Sequence, residues 1–214
     1  MPHKTPHYIE KLIEQGEHQH LDFKFAVNDS RKIARSLVAF ANTAGGKLLI
    51  GVKDNGAIAG VRTVEEYYMV ESAAQVYSKP SIPFTSHEWN LAGKKVLEIT
   101  VEEGKLKPYK ALGDDGKWLA YQRVHDQNIV ANTILLSFWQ RQQHESNTFI
   151  KYGDNERFFL ELVERTGFVT LSEFMERSGL KKAVAEKIIV DYLLLGIIEV
   201  DMLDDVALYK LKLK

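Results

Sequence analysis

Three acidic residues lie at the ends of two apolar segments, and their spacing could support metal-dependent chemistry. Glu17 and Asp22 flank the first predicted strand, and Asp54 follows the second. Carboxylate oxygens are ligands that Mg²⁺ and Mn²⁺ prefer, and a metal held by them could activate water for phosphodiester hydrolysis. A simpler interpretation stays open, because aspartate is common in turns and Glu17 is equally well a solvated charge.

Basic residues gather in two parts of the chain, and aromatic residues lie among the second group. Residues 20–53 carry six Lys or Arg against two Asp. Residues 105–123 carry five Lys or Arg together with Tyr109, Trp118 and Tyr121. Cations interleaved with aromatic rings suit phosphate contact and base stacking. The alternative is that the charges are solvated faces of helices and hairpins and that the rings belong to the core.

The stretch AFANTAGGKLLIGV, residues 39–52, places two glycines beside an apolar run and raises the question of a phosphate-binding loop. Such loops follow a strand and precede a helix, so that the phosphate meets the free N–H groups of the helix. Here the apolar spacing predicts a helix over 29–43 before the glycines and a buried strand over 47–52 after them. Gly45 and Gly46 are therefore expected at a helix C-terminus, whose free carbonyls disfavour a phosphate.

The amino-acid composition is that of an ordinary globular protein, and it excludes several classes of function for this chain. The chain has 214 residues, a formal net charge of −1 and no cysteine, which excludes disulfides, thiolate catalysis and cysteine-ligated zinc. No run of about 18 apolar residues indicates a membrane span, and the first residues contain no apolar signal region. We therefore expect a cytoplasmic protein with no membrane partner.

The pattern changes near residue 140, which indicates two domains. We expect an α/β (α+β) domain over 1–140, with a mixed β-sheet, flanking helices and a last helix over 128–140, followed by a polar linker over 141–148. The pattern of residues 149–214 predicts three helices followed by two strands, which is the element order of a winged helix. The third helix, over 181–195, is too apolar to be mostly exposed, and residues 150–214 carry 10 Lys or Arg against 12 Asp or Glu. Protein contact or dimerisation is therefore an alternative to DNA binding there.

Three stretches, taken in order, resemble the Schlafen-type divergent AlbA domain: GEHQHLDFK, AFANTAGGKLLIGVKDNGAIAGV and KPYKALGDDGKWLAYQRVHDQN. The resemblance covers about residues 8–140, and Phe-Ala-Asn-Thr-Ala-Gly-Gly is its most specific part. It implies an AlbA-like fold that binds nucleic acid. Bacterial members with a similar organisation carry a C-terminal winged or helix-turn-helix segment and are often described as ATP-binding proteins or transcriptional regulators.

The same resemblance implies a possible site for chemistry. In the vertebrate Schlafen branch the domain resembles a metal-dependent RNA endonuclease with three acidic residues, which carry over to Glu17, Asp22 and Asp54. Position 22 has Asp in place of Glu, and position 53 has Lys in place of an acidic residue. Both departures weaken the enzymatic interpretation. Arg123, in Tyr-x-Arg-Val, matches a family arginine and is thereby implied as a phosphate contact.

The sequence therefore predicts a cytoplasmic protein that binds DNA or RNA in a regulatory role, with no certain cofactor and with Mg²⁺ or Mn²⁺ as the candidate. Phosphate contacts are predicted at eight basic residues: Lys24, Arg31, Arg35, Lys47, Lys53, Lys107, Lys110 and Arg123. Structural roles around the helix–glycine corner are predicted for Asn42, Thr43, Gly45, Gly46 and Gly51. Three alternatives stay open: a Mg²⁺- or Mn²⁺-dependent endoribonuclease that uses the acidic triad, an ATP-binding protein, and a protein-interaction module that forms a homodimer through helix 181–195.

Overall fold

The computed structural model describes residues 8–144, 152–203 and 205–212. The chain forms two compact units, Met1–Val130 and Ala131–Lys214, which are called the N-terminal and C-terminal units below. The sequence placed the first boundary near residue 140. None of the helices in the described ranges is long and apolar enough to span a membrane.

The N-terminal unit begins with a helix and then a strand–helix–strand segment. These elements are α1 (Tyr8–Ile13), β1 (Leu21–Lys24), α2 (Ser30–Asn42) and β2 (Gly46–Ile50). Helix α2 begins where the side chain of Asp29 accepts a hydrogen bond from the Arg31 amide at 2.9 Å. The chain leaves α2 through Gly45, whose φ of +72° is the left-handed conformation that favours glycine. The predicted helix–glycine–strand order is confirmed.

Strands β1 and β2 belong to a four-stranded mixed sheet with the order β1-β2-β5-β4. The other two strands are β4 (Thr85–Leu91) and β5 (Lys94–Val101), and helix α3 (Glu65–Gln75) lies between β2 and β4 in the chain. The β1–β2 pair is parallel, whereas β2–β5 and β4–β5 are antiparallel. Parallel pairing requires a crossover, which α2 provides. The predicted mixed sheet with flanking helices is confirmed.

Both faces of this sheet are covered by apolar side chains. Leu48, Ile50 and Ile99 pack on one face with residues of α2 and α3, in the largest buried cluster of the unit. Leu21 and Leu49 point to the other face and pack with residues that include Ile9 of α1. Alternation along each strand therefore divides neighbouring residues between the two faces.

Two small antiparallel sheets complete the N-terminal unit. The first has the order β3-β6-β7 and comprises β3 (Ser78–Lys79), β6 (Lys110–Leu112) and β7 (Trp118–Leu119). The second pairs β8 (Tyr121–Val124) with β9 (Gln127–Val130). The sequence predicted a helix from residue 128, but residues 127–130 form β9 because they pair with β8, and the helix begins only at Thr133.

The C-terminal unit contains four helices and a hairpin in its described part. They are α4 (Thr133–His144), α5 (Asp154–Thr166), α6 (Leu171–Ser178), α7 (Lys182–Leu194), β10 (Ile198–Leu203) and β11 (Val206–Leu211). Residues 141–144 of the predicted linker belong to α4, and residues 145–148 lie outside the described residues. Ile188, Ile189 and Tyr192 of α7 are buried in the core of the unit, as the apolar character of this helix predicted. The order of α5–α7, β10 and β11 follows the predicted plan, and the assignment as a winged helix stays a prediction.

Candidate functional site

Glu17 and Asp22 lie close together on the edge strand β1 and the segment before it. Asp22 is buried, and its Oδ1 lies 3.0 Å from Nζ of Lys24 and 3.5 Å from the guanidinium of Arg123. Its Oδ2 accepts a hydrogen bond from the Ser36 hydroxyl at 3.0 Å. The carboxylate of Glu17 lies next to Asp22 and accepts a hydrogen bond from the Phe23 amide at 2.8 Å. Cations and polar groups of the fold itself therefore surround the Asp22 carboxylate.

The surroundings of Glu17 and Asp22 shift the pKa values of the two carboxyl groups in opposite directions. Burial raises the pKa of Glu17, and its hydrogen bond with Asp22 raises the pKa further. Burial would also raise the pKa of Asp22, but the charge of Lys24, the hydrogen bond with Glu17 and the charge of Arg123 together lower it. As the pH falls, Glu17 therefore takes up a proton before Asp22, whose carboxylate is stabilised by its neighbouring cations.

The acidic triad predicted as a metal site is not assembled in the described part of the chain. Asp54 is exposed in the turn that follows β2. No group of three His, Cys, Asp or Glu residues among residues 8–144, 152–203 and 205–212 is placed to hold a metal ion. Both oxygens of Asp22 are already engaged by Lys24, Arg123 and Ser36. This donor set does not fit the oxygen-ligand shell that Mg²⁺ or Mn²⁺ requires, and no catalytic step follows from it.

Arg123 lies inside the N-terminal unit, where its side chain is 1% exposed. Its guanidinium donates to Oδ1 of Asn128 at 3.1 Å and to the carbonyl of Leu21 at 3.2 Å, and it lies 5.3 Å from the centre of the Phe40 ring. The group therefore ties β1 to β8 and β9. This placement is that of a structural cation and leaves no surface for a phosphate.

Five other cations that were predicted to contact phosphate have carboxylate partners within the fold. The N–O distances are Lys24–Asp22 3.0 Å, Arg31–Asp114 3.4 Å, Arg35–Asp114 3.4 Å, Lys47–Glu98 2.5 Å and Lys107–Glu103 2.6 Å. Lys24 lies on the α2 face of the sheet with Asp22, whereas Lys47 shares the opposite face with Leu49. The eight predicted residues are therefore divided among several sites and do not form one basic surface.

Lys53 is different, because it belongs to a cluster at the carboxyl ends of β1 and β2. These parallel strands end side by side, and the Gly51 amide donates to the Lys24 carbonyl at 2.8 Å. Phe25, the first residue after β1, is 41% exposed. Nζ of Lys53 lies 5.5 Å from the centre of its ring, and Cζ of Arg62 lies 5.2 Å from it. Phe25, Lys53 and Arg62 are called the carboxyl-edge cluster below.

The cluster combines an accessible aromatic ring with two accessible cations. Lys53 and Arg62 are both exposed, and neither forms an ion pair with a carboxylate of the described residues. Two hydrogen bonds attach the loop that carries Arg62 to the end of β2. The carbonyl of Gly51, the residue after β2, accepts them from the amides of Ala59 and Gly60 at 2.8 and 2.9 Å. Cation–π contact orients the two side chains without neutralising their charge.

Lys110 lies on a second surface, the outer face of the sheet β3-β6-β7. Lys79 pairs with Lys110, and Leu112 pairs with Trp118, so alternation places these four side chains on one face. Trp118 is 37% exposed, whereas Tyr109 and Tyr121 are buried. Of the three aromatic residues that the sequence placed among the basic ones, two therefore belong to the core.

The residues around the helix–glycine corner hold backbone segments together. The side-chain amide of Asn42 donates to the carbonyls of Tyr109 and Tyr121, both at 2.8 Å, and its oxygen accepts from the Tyr109 amide at 2.7 Å. The Thr43 hydroxyl accepts from the Arg123 amide at 2.8 Å. A Cβ at Gly51, where φ is +92°, would lie 2.8 Å from the Val61 amide nitrogen. The motif therefore brings distant strands to the end of α2.

Sequence reasoning missed Phe25 and Arg62. Alternation with Leu21 and Phe23 favours a core position for Phe25, but β1 ends at Lys24 and the alternation ends with it. The signal that could have revealed the cluster is positional. Phe25 is the last residue of the first predicted strand and Lys53 follows the second, and the ends of parallel strands lie together at one edge of a sheet.

The family comparison matches most of the N-terminal unit, and two solved structures are similar to about 60% of the chain. The profile of the family described as Schlafen, AlbA_2 matches residues 17–132, which is more than half of the chain. The DIP2311 protein from Corynebacterium diphtheriae is 19% identical with a TM-score of 0.44, over 61% of this chain and 25% of that protein. The N-terminal domain of an ATP-dependent DNA helicase RecG-related protein from Nitrosomonas europaea is 22% identical with a TM-score of 0.40, over 60% of this chain and 97% of that domain. No curated protein matches the chain significantly.

Proposed function

The chain belongs to the Schlafen AlbA_2 family, and from that premise we propose that its N-terminal unit binds nucleic acid, DNA or RNA, through the carboxyl-edge cluster. Membership of this family suggests a function related to nucleic acid. The location of the interface is our proposal. We also propose, as the sequence predicts, that the protein acts in the cytoplasm and has a regulatory role.

The observation that carries the proposal is the exposed ring of Phe25 next to two exposed cations, Lys53 and Arg62. A base can stack on an accessible aromatic ring, and cations next to the ring can contact the flanking phosphates. Lys53 and Arg62 are 5.5 and 5.2 Å from the ring. Neither side chain forms an ion pair within the described residues, and the nearby Glu66 carboxylate accepts a hydrogen bond from the backbone amide of Arg62 at 3.3 Å. Their charges are therefore available to a phosphate, unlike the charges of cations that already form ion pairs.

The C-terminal unit supports nucleic-acid contact less well. Lys182 lies 3.7 Å from Glu186, and Lys187 lies 2.6 Å from the buried Asp191, so two of the cations near α7 already have acidic partners. In the hairpin of β10 and β11, Lys210 lies 3.0 Å from Asp201 and 3.5 Å from Glu199, so this cation also has acidic partners. We therefore assign the nucleic-acid interface to the N-terminal unit.

The test is a binding measurement with charge-neutralising variants of the full chain. Fluorescence anisotropy with single- and double-stranded DNA and RNA, in EDTA and between about 50 and 200 mM salt, gives both affinity and salt dependence. We expect Lys53→Gln and Arg62→Gln each to weaken binding and to reduce the slope of log K against log salt by about 0.7–0.9.

The matched control is Lys105→Gln, which removes the same charge from an exposed residue. Val101 pairs with Gly46, the first residue of β2, so the segment after β5 lies at the opposite edge of the sheet. Equal losses in all three variants would show a nonspecific effect of net charge and would contradict the proposed interface. Lys110→Gln is measured in parallel, and a loss confined to this variant would transfer the interface to the outer face of the sheet β3-β6-β7.

A further inference from the structure

A cavity of about 500 Å³ lies next to the carboxyl-edge cluster. The residues before and in the first turn of α3 form one wall, and side chains of β4 and β5 form the other. We propose that this cavity takes a nucleobase of a single-stranded polynucleotide, which rests on the proposed function and specifies its ligand. Its volume lies within the range of about 300–1,000 Å³ that is typical of small-molecule sites.

The aromatic part of the cavity suits a planar ring. Tyr67 packs against Phe84 with ring centres 6.2 Å apart, so its position is fixed by the core. Tyr68 lies edge-on to Tyr67 at 5.8 Å and is 61% exposed. An exposed tyrosine beside a cavity offers a stacking surface to any base, since every base has a π face.

The polar part of the cavity presents donors and an acceptor side by side. Glu88 and Lys95 form an ion pair of 2.8 Å, and both side chains remain about half exposed. The register of β4 and β5 places Ser86 on the same face of the sheet, and Ser86 also lines the cavity. The edges of nucleobases carry both hydrogen-bond donors and acceptors. Glu88, Lys95 and Ser86 together offer acceptors and donors that can pair with them.

Arg62 connects the cavity with the carboxyl-edge cluster. It lines the cavity and also lies 5.2 Å from the ring of Phe25. A nucleotide whose phosphate is held by Arg62 therefore has its base next to the cavity, while a neighbouring base meets Phe25. A base in a duplex would first have to leave its stack and its pair, at a cost of a few kcal/mol. The geometry therefore favours single strands.

The experiment compares single strands that carry bases with abasic strands of the same length and phosphate number, each as DNA and as RNA. Tyr68→Ala should weaken binding of the base-carrying strand about 5-fold or more, with no change for the abasic strand or in the salt slope. Tyr152→Ala is the matched control, because Tyr152 is 62% exposed and lies in the C-terminal unit. Glu88→Gln replaces an exposed acceptor of the cavity with an amide, and it should change the relative affinities for homopolymers of different bases.

The outcomes separate this inference from the proposed function. If Arg62→Gln weakens binding but Tyr68→Ala behaves like Tyr152→Ala, the cavity does not take a base and the proposed interface stands. Equal losses on base-carrying and abasic strands after Tyr68→Ala would also overturn the inference. A free mononucleotide that binds as tightly as the strand would overturn the polynucleotide assignment, and failure of the parent protein to bind any strand would overturn both proposals.

Discussion

Replacement of Arg123 distinguishes a structural arginine from a phosphate contact. The family resemblance implies that Arg123 binds phosphate, whereas the structure buries its guanidinium among Asp22, Asn128 and the carbonyl of Leu21. Arg123→Gln removes the cation and shortens the side chain. We therefore expect the free energy of unfolding of the N-terminal unit to fall, while the folded protein keeps its affinity for nucleic acid.

The expected loss follows from the contacts. Removing one partner of a buried ion pair typically costs about 3–5 kcal/mol. Lys24 stays 3.0 Å from Asp22 and continues to compensate its charge, which reduces the loss. The buried Nε of Arg123 has no hydrogen-bond partner, so its removal relieves a small penalty. We expect a decrease of about 3 kcal/mol, at the lower end of the range for buried pairs.

Urea unfolding followed by tryptophan fluorescence measures this change. Trp89 and Trp118 report on the N-terminal unit when Trp139→Phe removes the signal of the C-terminal unit from parent and variant alike. Arg31→Gln is the control, because its exposed ion pair with Asp114 should contribute at most about 1 kcal/mol. A loss of stability below about 1 kcal/mol together with weaker, less salt-dependent binding would show instead that Arg123 contacts phosphate.

Two further predictions concern buried polar groups. Asn42→Ala removes three hydrogen bonds to Tyr109 and Tyr121 and should lower the free energy of unfolding by about 3 kcal/mol, which urea unfolding measures; a change within about 1 kcal/mol would contradict it. Burial would raise the pKa of Glu98, but hydrogen bonds from Lys47 and Trp89 lower it below the ordinary 4.5. The contribution of Glu98 is therefore present above pH 4.5 and lost as the pH falls through its folded pKa, so Glu98→Gln should flatten the stability profile there. An unchanged profile would show that Glu98 does not cause the acid loss.

The family and the central elements of the N-terminal unit could be predicted because their signals are local. The cap at Asp29 precedes α2, and the left-handed turn at Gly45 follows it within a few residues of sequence. The motif around Asn42 and Thr43 is a contiguous stretch that identifies the family. By contrast, residues 127–130 carry an apolar spacing that suits a helix, and only their pairing with β8 makes them a strand.

The candidate site depended on contacts that no local signal reports. A count of charges treats Lys53 and Arg31 alike, but Asp114 lies next to Arg31 from 83 residues away in the chain. Arg123 likewise is buried by β1, which is about 100 residues distant.

The family, the order of helix, glycine corner and strand, and the number of basic residues can all be read from the amino-acid sequence. Which cations are buried, which form ion pairs and which lie beside Phe25 depends on the folded chain, because burial and ion pairing are set by neighbours in space. The parallel pairing of β1 and β2 brings Phe25 and Lys53 together, and the loop held by Gly51 adds Arg62.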